Sequence, residues 1–267
     1  MGKKIGQNVT IKNGVQIGNN VVIEDDVFID YNTIIRDNVC IGKGSYIGAN
    51  CVLGEYLADF FKERMEKEHP LIIGSNAIIR SGTILYGDCN IGDDFQTGHH
   101  VTIRENTQIG SHVSVGTLSD VQGRSAIGNY VRIHSNVFVA PDAKLEDYVW
   151  VFPHVVITND PTPPSNIMRG VTVKSFAIVA AGSVLMPGIT VEGDSLIAAG
   201  AVVTKDVHAG DVVAGNPAKI VKKIEQIQNH ITGEKVYPWR YTFKRAMPWE
   251  ESDYETWYHD IQQQISR

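Results

Sequence analysis

The sequence predicts an all-β fold, a parallel β-helix of about ten coils with two inserted loops and a small C-terminal α-helical segment. Three observations predict it: a six-residue hydrophobic period, turn-forming residues at one fixed position of that period, and two interruptions of its phase. A period of six fits neither an α-helix nor a simple alternating strand. It is typical of a hexapeptide solenoid, in which three short strands form one coil of about 18 residues.

The period is most regular in the middle of the chain. From Ile73 to Ile157 every sixth residue is aliphatic, with Thr97 as the one exception, and these fifteen hexads predict five coils. The same period runs from Ile5 to Leu53, which predicts three coils, and again from Val173 to Val203, which predicts two.

The third residue after each of the first eight aliphatic positions is always Asn, Asp or Gly. The set is Asn8, Gly14, Asn20, Asp26, Asn32, Asn38, Gly44 and Asn50. These residue types tolerate a positive φ, so this position is predicted to be the tight corner between two faces.

Two segments interrupt the phase, at about 54–72 and 158–172. The first carries Leu57, Phe60, Phe61 and Met65 at helical spacing, and we expect an amphipathic helix, for which a neighbouring subunit could be the packing partner. The second begins with the proline-rich run 159–164 and is expected to be irregular. Both follow a completed set of three faces, so both should leave from one edge, five coils or roughly 24 Å apart.

The domain boundary is predicted near residue 217. Residues 1–217 form the β-helix, and residues 218–267 form a helical and aromatic cap, with a helix at 218–230. The aromatic tail is expected to cover the open end of the solenoid, which would otherwise expose strand edges.

Composition excludes several classes of protein. A formal net charge of -6 and a pI near 5.8 argue against a nucleic-acid or anionic-membrane surface. The chain has no apolar run of the ~18 residues that a membrane span needs and no signal-peptide core at its start, so we expect a cytoplasmic protein. Three cysteines cannot build a disulfide framework, and Cys51 and Cys89 fall on inward positions of the repeat.

The end of the repeat carries a resemblance to a known family. Residues 186–207 read MPGITVEGDSLIAAGAVVTKDV and residues 215–221 read GNPAKIV. This pattern resembles the ending of left-handed β-helix acyltransferases. The resemblance implies a left-handed coil, a homotrimer with active sites between subunits, and acyl-CoA as co-substrate with no tightly bound cofactor.

The central run 91–106, IGDDFQTGHHVTIREN, is similar to the branch of that family that N-acylates dTDP-linked amino sugars. It is most like the dTDP-4-amino-4,6-dideoxyglucose N-acyltransferases of anthrose biosynthesis. The implied reaction moves an acyl group from acyl-CoA to the amine of a dTDP-linked amino-deoxy sugar. A 3-amino-sugar or UDP-sugar N-acetyltransferase of the same fold is the alternative.

Three residues are candidates for the catalytic proton transfer, and each has a plainer interpretation. Asp94 is either a positive-φ corner residue or a carboxylate for the amino group of the sugar. Glu105 follows the third face and is either a solvated corner residue or a second carboxylate for that amine. His134 stands at a position with no φ requirement, with Gly116 and Gly98 one and two coils below it. Two glycines stacked under a histidine would leave a slot beside its ring, so His134 is either a base or an exposed spectator.

The remaining candidates are binding residues. For the sugar substrate we expect Gln96, His99, His100 and Asn159. For the pantetheine and phosphates of CoA we expect Ala181, Gly182, Ala199, Gly200, Lys219 and Lys222, where the plainer interpretations are core packing and a solvated surface.

Direct attack of the amine on the thioester is expected, because no cysteine or serine has the surroundings of an activated nucleophile. Two rival hypotheses belong to other classes. A γ-class carbonic anhydrase shares the fold, but its metal histidines stand five residues apart and no such pair exists here, so no metal is expected. A non-catalytic solenoid scaffold would have no reason to carry the two irregular insertions.

Overall fold

A computed structural model describes residues 2–65 and 67–265. Thirty short strands wind into ten coils, and corresponding strands of successive coils pair in parallel to form three faces. Within an uninterrupted coil the partners are 18 residues apart, as for Ile5 and Ile23. The all-β prediction and the count of ten coils are confirmed, and the three-sided prism fits a left-handed β-helix.

The first three coils contain β1 (Lys4–Ile5), β2 (Thr10–Ile11), β3 (Gln16–Ile17), β4 (Val22–Ile23), β5 (Phe28–Ile29), β6 (Ile34–Ile35), β7 (Val39–Ile41), β8 (Tyr46–Ile47) and β9 (Val52–Glu55). Helix α1 (Ala58–Glu63) follows.

The five middle coils contain β10 (Leu71–Ile73), β11 (Ile78–Ile79), β12 (Ile84–Tyr86), β13 (Cys89–Ile91), β14 (Gln96–Thr97), β15 (Thr102–Ile103), β16 (Gln108–Ile109), β17 (Ser114–Val115), β18 (Asp120–Val121), β19 (Ala126–Ile127), β20 (Arg132–Ile133), β21 (Phe138–Val139), β22 (Lys144–Leu145), β23 (Trp150–Val151) and β24 (Val156–Ile157).

The last two coils contain β25 (Thr172–Val173), β26 (Ile178–Val179), β27 (Val184–Leu185), β28 (Thr190–Val191), β29 (Leu196–Ile197) and β30 (Val202–Val203). A hairpin of β31 (Asp211–Ala214) and β32 (Lys219–Lys223), two 3-10 turns (Ile224–Gln226 and Trp239–Tyr241) and α2 (Tyr254–Ile265) complete the chain.

We call the sheet from β1 to β28 the first face, the sheet from β2 to β32 the second face, and the sheet from β3 to β30 the third face. The first edge joins the first face to the second, the second edge joins the second to the third, and the third edge returns to the first. In a triangular prism the third edge lies opposite the second face, and this relation decides which candidate residues can meet within one chain.

The core consists of the inward side chains of all three faces. Isoleucine, valine and leucine at the sixth position stack between coils, and those from Ile23 to Val203 are buried. Thr97 is buried as well, and its hydroxyl accepts a hydrogen bond from the Arg80 N–H at 2.9 Å. That bond lets a polar side chain replace an aliphatic one in the core without leaving the hydroxyl unpartnered.

The predicted corners adopt positive φ throughout the prism. Asn8 has a φ of 55° and Asp94 a φ of 56°, and even Leu118 and Tyr130 adopt this conformation, at 60° and 57°. Because such residues rarely do so on their own, the winding of the coils imposes the corner geometry on them.

Both insertions leave from the third edge, as predicted, and lie five coils apart. Ile41 pairs with Ile73, 32 residues on rather than 18, and Leu145 pairs with Val173, 28 residues on. The helix in the first insertion is only six residues long, because an αL residue, Arg64, ends it. Phe61 and Met65 are exposed in this chain.

Two expectations about the C-terminal segment are wrong. The segment predicted as a helix at 218–230 forms β32, which pairs antiparallel with β31 and extends the second face. The aromatic tail packs on the outer surface of the second face rather than over the open end. There Trp239, Met247 and Trp249 are buried with Ile178, because the outward side chains of the last coils are themselves large and apolar.

Candidate active site

The second edge aligns most of the candidate binding residues in one column. Backbone hydrogen bonds connect the corners of this edge from coil to coil. In the first of them the Leu118 N–H donates to the His99 oxygen at 3.0 Å, and in the last the Gly200 N–H donates to the Ala181 oxygen at 2.9 Å. In chain order the column contains His99 and His100, Thr117, Ser135 beside His134, Pro153, then Ala181 with Gly182, and Ala199 with Gly200. The candidate base and the candidate CoA surface therefore share one edge.

The outer surface of the second face carries a depression at the level of β14, β17 and β20, which we call the trough. One cavity of about 410 Å³ reaches from Arg80 to Trp150 and contains Gln96, Gly116 and His134. A second cavity of about 300 Å³ adjoins it on the side of the first edge and contains Asp94. Tail residue Ala246 lines both cavities, so the tail closes one end of the trough.

His134 is held by an aromatic neighbour on one side and borders open space on the other. Its ring stacks on Phe152, with centroids 4.7 Å apart and planes 14° apart. Gly116 and Gly98, one and two coils below, line the same cavity as the ring, and the predicted slot is present. Burial lowers the pKa of His134 and the nearby Arg132 lowers it further, so the imidazole is neutral at pH 7 and can accept a proton.

The trough is cationic although the chain is acidic overall. Arg80, Arg132 and Arg245 all line the cavity of His134, and burial together with Arg245 lowers the pKa of Arg132. The Nε of Arg132 and the indole nitrogen of Trp150 are buried, and neither has a hydrogen-bond partner among residues 2–65 and 67–265. The three arginines that line the cavity suit an anionic ligand such as a phosphate.

Asp94 begins a stack of side chains along the first edge. One of its carboxylate oxygens lies 3.5 Å from Nδ1 of His112, whose ring stacks on Tyr130 at 4.5 Å. The stack continues through Tyr148 to Phe176. Asp94 and His134 therefore flank the trough from opposite edges, with Gln96 and Arg132 between them.

Glu105 lies elsewhere. It is at the third edge, where both its oxygens accept hydrogen bonds from Arg104, at 2.8 and 3.0 Å. Asn159 lies at the base of the second insertion on the same edge, and its amide donates to the Pro141 oxygen at 3.4 Å. Neither residue lines the trough of its own chain, since the third edge is opposite the second face.

The candidate CoA residues present exposed backbone near the C-terminal end of the second edge. Ala181, Gly182, Ala199 and Gly200 are all exposed, and an added Cβ at either glycine would meet no atom within 4 Å. The turn that precedes Lys219 lies just beyond them, because the Ala218 N–H donates to the Val202 oxygen at 2.8 Å. Lys219 and Lys222 are exposed on β32 rather than on the expected helix.

Several lining residues were missed from the sequence. Arg80 occupies the same position of the repeat as Gly98, Gly116 and His134, so the 18-residue spacing was a signal that could have identified it. For Phe243 and Arg245 there was no such signal, because they come from the tail and reach the trough only through its packing on the second face.

The described residues bear on metal binding and on helical membrane spans. Among them, no group of three or more His, Cys, Asp or Glu side chains is arranged to hold a metal ion. No helix within the described ranges is long and apolar enough to cross a membrane.

Short parts of the chain match a hexapeptide-repeat family model and a curated enzyme. Residues 20–55 match the family model described as bacterial transferase hexapeptide (six repeats). The 2,3,4,5-tetrahydropyridine-2,6-dicarboxylate N-acetyltransferase of Staphylococcus aureus (strain bovine RF122 / ET3-1) is 38% identical over 77 residues, which are 28% of this chain. The match spans only 25% of that enzyme's length.

Solved structures give looser matches. A UDP-N-acetylglucosamine acyltransferase from Bacteroides fragilis 9343 is 25% identical with a TM-score of 0.43, and the match covers 83% of this chain and 70% of that one. A hexapeptide-repeat acetyltransferase of Vibrio cholerae O1 biovar eltor, complexed with acetyl coenzyme A, is 24% identical with a TM-score of 0.35 over 41% and 69% of the two chains. The chain therefore contains a hexapeptide repeat that winds into a parallel β-helix, and part of it is similar to a bacterial N-acetyltransferase.

Proposed function

We propose that the protein is an N-acyltransferase that moves an acyl group from acyl-CoA to the amino group of a nucleotide-linked amino sugar, with dTDP as the expected nucleotide. One observation carries the proposal. The second edge leads from exposed small residues at Ala199 and Ala181 directly to His134, which borders a cationic trough. This order supports a proposal in which a thioester donor and an anionic acceptor bind on two sides of one neutral imidazole.

The trough suits the acceptor. The nucleoside diphosphate of a nucleotide sugar is negatively charged, and Arg80, Arg132 and Arg245 supply three cationic groups within one cavity. Gln96, at the floor of the trough, and Asp94, at its margin, are then available to the sugar and its amine. His99 and His100 lie on the second edge two coils before His134, on the same side of it as Gln96.

The small-residue corners suit the donor. Exposed backbone at Ala181 and Ala199 can form hydrogen bonds with the amides of pantetheine, and Lys219 and Lys222 lie beyond it for the phosphates. His134 is three coils from Ala198, roughly 14 Å along the prism at ~4.8 Å per coil. An extended pantetheine arm entering from this end therefore brings its sulfur toward His134.

The reaction is a direct attack within a ternary complex. The amine nitrogen bonds to the thioester carbon, the tetrahedral intermediate collapses, and the carbon–sulfur bond breaks to release the CoA thiolate. Neutral His134 takes the proton that the nitrogen loses, and the thiolate then accepts a proton to leave as the thiol. Binding both substrates along one edge supplies the proximity that a reaction without a covalent enzyme intermediate requires.

A homotrimer completes this proposal. The outward positions of the third face are mostly apolar, and Phe138 and Val156 are 38% and 36% exposed in the single chain. The apolar residues of this stripe are Ile34, Val52, Ile84, Phe138, Val156, Val184 and Val202, with Thr102 and Asp120 between Ile84 and Phe138. A three-fold assembly would cover this stripe and could bring the third edge of one chain, with Glu105 and Asn159, toward the trough of its neighbour.

The test is incubation of the protein with acetyl-CoA and a panel of dTDP- and UDP-linked 3-amino and 4-amino sugars, followed by mass spectrometry. We expect an N-acylated product from a dTDP-linked amino sugar, and dTDP-glucose, which has no amine, serves as the negative control. Failure of every amino sugar, together with no binding in a CoA titration, would refute the proposal.

A further inference from the structure

We infer that His112 is a positioning residue for Asp94, and that a column of ring side chains along the first edge holds His112 in place. The inference rests on the proposed function, because it concerns how the site presents a carboxylate to the amine of the acceptor. The rings of this column take no part in the proton transfer to His134 or in the arginine cluster of the trough.

Four successive corners of the first edge carry rings where the earlier corners carry small polar residues or glycine. The earlier corners are Asn8, Asp26, Gly44, Asn76 and Asp94. The next four have φ values of 59°, 57°, 63° and 65°, at His112, Tyr130, Tyr148 and Phe176. Tyrosine and phenylalanine at positive φ are rare, and strain of this kind is concentrated at functional sites. The change of residue type begins directly after Asp94.

The four rings form one continuous stack. The His112 ring lies 4.5 Å from that of Tyr130, and Tyr130 lies 5.3 Å from Tyr148, with the planes of the two pairs 16° and 14° apart. Tyr148 lies 4.8 Å from Phe176, with planes 4° apart. Each ring therefore fixes the orientation of the next, from one coil to another.

The tail anchors the end of the stack that is farther from the trough. The guanidinium of Arg240 lies 4.7 Å from the ring centre of Phe176 and forms an ion pair with Asp194, the next corner of the same edge. Trp249, which is fully buried, lies 5.3 Å from Tyr148. The rings cannot move along the edge without displacing these tail residues.

The other end of the stack meets the carboxylate of Asp94. Nδ1 of His112 lies 3.5 Å from one carboxylate oxygen, and both residues line the same cavity of about 300 Å³. Both side chains are partly exposed, so the ion pair is weak by itself. Its effect is on geometry, because a cation or donor held on one side restricts a carboxylate that would otherwise sample several rotamers. His112 thus orients the group that receives the amine without contacting the amine.

The first experiment measures binding of dTDP-4-amino-4,6-dideoxyglucose by calorimetry with free CoA present, so that no acyl group is transferred. His112→Gly removes the imidazole and leaves an unstrained corner, because glycine accepts a positive φ. We expect the affinity for the amino sugar to fall about tenfold, because the carboxylate is no longer aligned. The affinities for dTDP alone and for CoA should not change, since neither ligand has an amine for Asp94.

The second experiment removes the support of His112 and leaves His112 itself in place. Tyr130→Asn puts a common corner residue of this prism under the imidazole and should weaken amino-sugar binding roughly threefold, as expected for the loss of one ring contact. Tyr130→Phe keeps the ring and is the matched control, with wild-type affinity expected. His154→Asn, at a histidine corner of the second edge, controls for the loss of a corner histidine.

The outcomes separate the two proposals. Wild-type affinity for the amino sugar in folded His112→Gly would overturn the inference. A parallel loss of dTDP affinity, or equal affinities in Tyr130→Asn and Tyr130→Phe, would overturn it as well. His112→Leu replaces His112→Gly if that variant misfolds, because the corner at Leu118 accepts leucine. Each of these results leaves the proposed transferase standing, whereas binding of neither CoA nor any amino sugar to the wild type would refute the proposed function and the inference with it.

Discussion

His134 illustrates how a short-range environment sets the chemistry of one residue. Its ring is stacked on Phe152, and burial followed by the charge of Arg132 holds its pKa below the ordinary value near 6.5. A histidine must be unprotonated, and therefore neutral, to accept a proton. The lowered pKa keeps His134 in this form across the neutral pH range. Activity should be lost only when the pH falls through that lowered pKa.

Replacing His134 by Asn should lower kcat by about 10²–10⁴ and remove the acid limb of the pH profile, because the proton acceptor is lost. CoA affinity should change little. The control is His154→Asn, one coil further along the same edge, where an exposed corner with a φ of 63° accepts Asn. A loss of less than tenfold in kcat with an unchanged pH profile would make His134 a spectator.

Gly116 is important for a second reason, because it packs directly against the backbone of the next coil at His134 and Ser135. A Cβ there would lie 2.4 Å from the Ser135 nitrogen and 2.5 Å from the His134 carbonyl carbon. Gly110 is crowded in the same way at the first edge, where a Cβ would lie 2.6 Å from Oδ1 of Asn129.

Gly116→Ala and Gly110→Ala should therefore each cost about 1–3 kcal/mol of stability through overpacking. Only Gly116→Ala should also lower kcat, by tenfold or more, because it displaces the backbone of the base. Denaturant unfolding and steady-state kinetics measure the two effects. If both variants lower kcat equally, the position of His134 is not what Gly116 preserves.

At the scale of elements, the first insertion is fastened to the prism by a charged cluster. His69 lies between the two carboxylates of Asp88, at 2.7 Å, and Asp59, at 3.2 Å, and Lys67 contacts Asp59 at 3.3 Å. Asp88 belongs to a corner of the prism and Asp59 to α1, so His69 joins the insertion to the body. Burial by itself would lower the pKa of His69, but the two carboxylates raise it.

The sign of this shift predicts a pH-dependent insertion. A raised histidine pKa stabilises the folded insertion fully below the unfolded pKa near 6.5, and the effect is lost as the pH rises through the folded pKa. Hydrogen exchange of amides 58–63 should be slower in the wild type than in His69→Gln at pH 5.5. At pH 8.5 the two proteins should be nearly the same, and a difference that does not depend on pH would contradict this mechanism.

At the scale of the whole molecule, Asp94 and Glu105 lie on different edges of the prism, as their positions in the repeat predict. Asp94 borders the trough, whereas Glu105 lies on the vertex opposite the second face and pairs with Arg104. If both carboxylates serve one amine, they must come from neighbouring chains of the proposed trimer.

Mixing inactive Asp94→Asn and Glu105→Gln chains by unfolding and co-refolding should then restore activity. Some mixed trimers contain a site with Asp94 from one chain and Glu105 from its neighbour. Each variant refolded alone is the control, and mass measurement confirms mixing. Activity that stays absent in verified mixed trimers would count against a shared site.

The sequence alone determined the architecture, because each hexad repeats the same local requirement for an inward aliphatic residue and a positive-φ corner. The ten coils, the departure of both insertions from the third edge and the slot beside His134 all follow from that spacing. Each of these features depends on residues that are six or 18 positions apart, so the period contains the information.

Tertiary structure decided what the period does not encode. Residues 219–223 pair with β31 instead of forming a helix, because an unpaired end of the second face was available to them. The tail lies against Ile178 and Trp150 rather than over the open end, since those outward side chains offer the larger apolar surface. Arg245 reaches the trough only because of that packing. No local pattern specifies such a contact between segments a hundred residues apart.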